Sequence, residues 1–183
     1  MALILDPRRW ARSGTIGGAL VALSLNACGI PKDQEGASAR IAATHVLRVG
    51  ASANPPWVIV QGNQVTGIEP SLICAFATTM GAKVAWVVNG ETPLLEALER
   101  RQLDIVVGGV TSRSPWIRRV GTSLSYARAK RPPGGRPGLD QGRERHIILS
   151  APGENRLLLR LDQFLHAAGP AVQRRIDAEA THG

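Results

Sequence analysis

The chain has 183 residues, 44% hydrophobic and 20% charged, which fits one globular domain with a modest core. Its net charge of +8 invites a nucleic-acid reading, but six of the eight excess charges fall within residues 1–12 and 128–145. Aromatics are only 4% of the chain, too few for a basic–aromatic stacking face, so nucleic acid is excluded as a partner.

The N-terminus, "DPRRWARSGTIGGALVALSLNACG", is a basic segment followed by an apolar run from Ile16 to Leu25. That run is too short and too rich in glycine to span about 30 Å of hydrocarbon. Leu25-Asn26-Ala27-Cys28 then resembles a bacterial lipobox. The resemblance implies a signal peptide over 1–27, cleavage after Ala27 and acylation at Cys28. Several acyl chains there make a stable membrane anchor. An ordinary secretory signal with an incidental cysteine is the alternative, and either one exports the protein. With Cys28 acylated, Cys74 has no partner; it lies in the apolar pattern "SLICAFATTM" and reads as a buried, inert thiol. Residues 28–45 lack periodicity and read as a flexible tether.

From Val46 the pattern becomes regular. "HVLRVGA" reads as a strand, and "NPPWVIVQGNQVTG" as a turn followed by a hairpin about Gly62-Asn63. "EPSLICAFATTMG" predicts a helix with Pro70 in its first turn and Gly81 as its stop. "KVAWVV" is a second strand. "ETPLLEALERRQ" predicts a second helix with Thr92 as N-cap and Leu94, Leu95 and Leu98 on one face. "LDIVVGG" is a third strand, apolar enough to be buried on both faces. Strand, helix, strand, helix, strand predicts an α/β fold with a parallel sheet.

Ligands of such sheets sit beyond the carboxyl ends of the strands. After the third strand, the glycines of "GGVTSRSPW" let a ligand approach the backbone, and free amides with the Thr111 hydroxyl can donate to an oxygen. A plain tight turn explains the same residues. Trp57 is either a stacking surface or a core tryptophan at the sheet's end.

These motifs together, from Val46 to Tyr126, resemble the first lobe of the bacterial extracellular solute-binding proteins of family 3, the amino-acid receptors of ABC importers. The likeness rests on Pro55-Pro56-Trp57, Thr66-Gly67 with Glu69, the leucine helix before "LDIVVGG", and Ser123 to Tyr126. It implies a periplasmic-binding-protein-like lobe of type II, located in the periplasm or at the cell surface. Its partners would be a permease in the inner membrane and a small polar solute, an amino acid or a relative of one, with no cofactor. Carried over by position, it implies ligand contacts at Asn54, Trp57, Glu91, Gly109 and Thr111. The family usually has a carboxylate-clamping arginine five residues after that threonine; here the position is Trp116. An indole cannot supply a bidentate fork, so a cation or an apolar solute stacking on Trp57 and Trp116 is the alternative. Pro115-Trp116 simply packing the next turn is the plainer reading.

The family has two lobes and a hinge. Here Tyr126 is followed by "ARAKRPPGGRPGLDQGRER", residues 127–145, which cannot bury a core and reads as a disordered basic connector replacing the second lobe. A basic loop touching anionic lipid or a partner is the rival. Residues 146–183 read as a return strand, His146 to Ser150, and C-terminal helices packing back on the first lobe. The expectation is a shortened solute-binding protein and not an enzyme; a non-binding remnant or anchored interaction module is the alternative. A dehydratase or lytic transglycosylase on this scaffold would need an acid–base pair, for which Glu69 and Glu91 are the available carboxylates. His45, His146, His166 and His182 fit neither a metal set nor a triad.

Overall fold

The computed structural model describes residues 33–129 and 144–179. The expected signal peptide, Cys28 and most of the basic connector lie outside them.

Helix α1, Ala37–Thr44, stands where a tether was expected. Its N-cap is Gly36, which offers no side-chain cap. The caps come from carboxylates: Glu35 N and Ala37 N donate to Glu154 at 2.9 and 3.0 Å, and Ser38 N donates to Asp33 at 2.8 Å. Asp33 also accepts from Arg156 N and Leu157 N at the start of the last helix. Burial works to raise the Asp33 pKa, but these hydrogen bonds outweigh it and hold the carboxyl below its ordinary value. Ile41, 1% exposed, pins α1 to the core.

Strands β1 (Val46–Ala51), β2 (Ile59–Gln61) and β3 (Gln64–Thr66) come next, the last two forming the expected hairpin. Helix α2, Ile68–Thr79, ends where Gly81 takes a φ of 65°. Strand β4 (Lys83–Val88), helix α3 (Glu91–Glu99) and strand β5 (Ile105–Val107) complete the predicted alternation. Helix α3 starts at Glu91 with Gly90 as N-cap, so Thr92 is already inside it. Both β4 and β5 pair in parallel with β1.

After a 3-10 turn, η1 (Pro115–Arg118), come β6 (Gly121–Thr122), β7 (Ala127–Ala129), β8 (Glu144–His146), β9 (Leu149–Ser150) and α4 (Asn155–Glu179). The main sheet runs β4-β1-β5-β9-β6, and β9 is antiparallel to both its neighbours, so the sheet is mixed. The single return strand expected over His146–Ser150 is two. Strand β8 pairs with β7 in a separate ribbon, and Ile147 N then donates to Val110 O as the chain crosses to the sheet. The expected connector therefore begins and ends in strand.

The core lies on both faces of the sheet, as strand alternation requires. Leu47, Val49, Ile105 and Val107 point toward α2 and α4, where Phe76, Leu157, Leu161 and Leu165 are buried. Val106 and Leu149 point toward Leu94, Leu95 and Leu98 of α3. Helix α4 runs 25 residues through Pro170 as one element, burying Leu157, Leu161, Leu165, Val172 and Ile176 at helical spacing. Cys74 is exposed rather than buried, because the core face of α2 is Leu72, Ile73, Phe76 and Ala77.

Candidate functional site

The carboxyl ends of β4, β1 and β5 lie side by side, and the loops beyond them are joined. Asn89 N donates to Ala51 O, linking the β4 exit to β1. Asn54 Nδ2 donates to Gly108 O at 2.8 Å, linking the β1 exit to β5. Four of the predicted residues share this edge. Asn54 and Glu91 are exposed, and Gly109 and Thr111 are half-buried.

Trp57 is not on the rim. It is 8% exposed and packed on both sides. His146 stacks on it, with ring centroids 3.6 Å apart and planes 22° from parallel, and Tyr126 meets it edge-on at 6.3 Å. On the Gly109 side the fit is closer still. Gly109 has a φ of 67°, and a Cβ there would lie 2.8 Å from Trp57 Cδ1 and 2.5 Å from Asn54 Nδ2. The core reading of Trp57 is therefore the one its burial supports, and it presents no open face to a solute.

The glycine amides are not free either. Gly108 N and Gly109 N donate to Glu69 Oε2 at 2.8 and 2.9 Å. Glu69 Oε1 accepts from Tyr126 Oη at 2.6 Å. Glu69 is fully buried in the first turn of α2, where a carboxylate is favoured by the helix dipole. Burial pushes its pKa up, against the lowering pull of Gly109, Tyr126 and Gly108. Tyr126 is pushed well up by burial and by the Glu69 charge and hydrogen bond. His146 is pushed down to about 4, burial outweighing the pull of the Gly109 backbone, so its ring is neutral at pH 7. Its Nδ1 is buried without a hydrogen-bond partner among the described residues.

Trp116 sits half-buried in η1, against the α3 side of the core. Arg119 lies over its ring, 5.2 Å from the centroid, and grips Glu99 with two nitrogens at 2.5 and 2.7 Å. The predicted residues thus divide into an open rim (Asn54, Glu91, Gly109, Thr111) and packed tryptophans. Sequence reasoning assigned no part of the site to His146, 89 residues from Trp57; the Ser-x-x-Tyr motif did mark Tyr126. Among the described residues no group of His, Cys, Asp and Glu could hold a metal ion, and no helix is long and apolar enough to cross a membrane.

A mixed α/β sheet with helices on both faces, its rim at the strand exits and a two-stranded ribbon leaving from that end, defines a single lobe of the periplasmic-binding-protein type. Solved structures agree. The chain superposes on the arginine-bound form of domain 1 from TmArgBP, of T. maritima, with a TM-score of 0.57 and 23% identity, over 70% of this chain and 97% of that one. An ancestral cationic amino acid solute-binding protein matches with 0.63 and 15%, over 76% and 98%. An ancestral cyclohexadienyl dehydratase matches with 0.63 and 16%, over 78% and 93%. At these identities the likeness establishes the fold. Residues 47–131 match the model of the bacterial extracellular solute-binding proteins, family 3. A search of curated proteins returns no match.

Proposed function

We propose that this protein is the solute-binding subunit of a bacterial ABC importer, reduced to one lobe and anchored outside the cytoplasm by acyl chains on Cys28, with a permease as its partner. The observation that carries the reduced form is the β7–β8 ribbon. Ala129 pairs with Glu144, so residues 130–143 are all the chain there is between the two strands. Fourteen residues are far below the roughly 50 that the smallest domains need. The arginine-bound domain 1 from TmArgBP supports binding by a lone lobe, since in that protein one domain holds the ligand. Binding is favoured over catalysis because Glu69, one of the two carboxylates available for acid–base work, is sealed beneath the Gly108-Gly109 turn.

Thermal denaturation of the protein across amino acids, polyamines and small organic acids tests this reading. A ligand that binds the native state raises the transition by mass action, by about 2.7 kcal/mol at a hundredfold excess over Kd. A concentration-dependent rise with at least one solute is expected. A cooperative transition that no solute moves would establish the non-binding remnant instead.

A further inference from the structure

We infer that the rim recognises the cationic end of its solute, an alkyl amine or guanidine, and makes no demand for a carboxylate. This rests on the binding reading above and narrows it to a substrate class. Recognition at an edge is decided by which donors and acceptors remain after the protein has satisfied its own.

At this edge the donors are largely occupied. Gly108 N and Gly109 N, the amides best placed to cradle an anion after β5, both donate to Glu69 Oε2. Ser112 N donates to Arg145 O, and Ser114 N to Thr111 O. Asn54 Nδ2 donates to Gly108 O. Arg119 is ion-paired with Glu99 and lies over Trp116. Arg113 has an interaction partner of its own. Arg118, exposed at the end of η1, lies seven residues beyond Thr111.

The acceptors remain. With its amide nitrogen turned onto Gly108, Asn54 has its Oδ1 left to accept. Glu91 follows β4 on the same edge, exposed and negatively charged. A negative charge, an amide oxygen and a glycine turn whose N–H groups are taken by Glu69 make a surface for ammonium or guanidinium. A solute carboxylate brought to the same edge would meet Glu91 and lose its hydration without a fixed cation in return.

The test compares solutes that differ only in the carboxylate: arginine with agmatine, and lysine with cadaverine, on the full chain at fixed ionic strength. Each decarboxylated amine is expected to bind at least as tightly as its amino acid. Glu91→Gln is expected to weaken agmatine by about tenfold, the worth of one charge-assisted hydrogen bond, while Glu96→Gln on the same helix leaves it unchanged. Arginine binding tenfold or more tighter than agmatine would overturn the inference, and so would an ineffective Glu91→Gln. Stabilisation only by neutral or anionic solutes would sink this inference and leave the receptor reading standing. Silence across both panels would sink the two together.

Discussion

Glu69 is the residue on which the strand-exit turn depends, and its role separates charge from shape. Three donors converge on its carboxyl group: the amides of Gly108 and Gly109 and the Tyr126 hydroxyl. Its three partners carry no charge, and burial raises its pKa. A carboxyl whose folded pKa is raised stabilises the fold fully in acid and loses that contribution as pH rises through the folded value. Glu69→Gln keeps an oxygen for the two amides and can donate to the tyrosine oxygen. We expect it to equal or exceed the native protein in stability at pH 7, the gain vanishing in acid. Glu69→Leu strands all three donors and should cost on the order of 3 kcal/mol, read by urea denaturation. Equal losses in the two variants would mean that the negative charge itself holds the turn.

At the scale of elements, what could be read from the sequence follows from how locally each element is specified. Helix α2 carries its own signals, Pro70 in the first turn and Gly81 at the end, and it forms between them. The three parallel strands announce themselves by short apolar runs. Helix α1 does not. Its sequence, ASARIAAT, has one large apolar residue and no N-cap side chain, and its first amide is satisfied by Glu154, 117 residues away from Ala37, with Asp33 taking the next. The rim was legible as strand exits, with Asn54 after β1, Gly109 and Thr111 after β5 and Glu91 opening α3 after β4, while the individual contacts came from the family resemblance. Trp57 was not, because its covering ring comes from His146 and its other side from Gly109, both remote in sequence. The α1 account has a direct check. Glu154→Ala removes a buried cap, which typically costs about 1 kcal/mol, and should raise amide exchange in 35–44 well before it affects β1 or α2. Uniform loosening of the whole domain would mean that Glu154 supports the sheet rather than the helix start.

For the whole molecule the consequence concerns motion. Two-lobed receptors close about a hinge, drawing contacts from both sides of the solute and excluding water between them. Here β7 and β8 pair directly with each other, Ala127 opposite His146 and Ala129 opposite Glu144, and α4 clamps the ribbon through Gln173, which accepts from Arg128 N and donates to Arg128 O. A rim bound on one side lacks the opposing contacts. Were those worth 4 kcal/mol, binding would be about a thousandfold weaker, since each 1.4 kcal/mol is tenfold. Dissociation should be fast to match, because affinity differences of this kind appear mainly in the off-rate. We therefore expect a saturating amine to shift amide resonances around residues 52–54, 89–91 and 108–112 in fast exchange, with no change in the radius of gyration from solution scattering. Slow exchange with a shrinking radius at constant mass would require a second body closing within the chain. Slow exchange with a doubled mass would place that body in another copy.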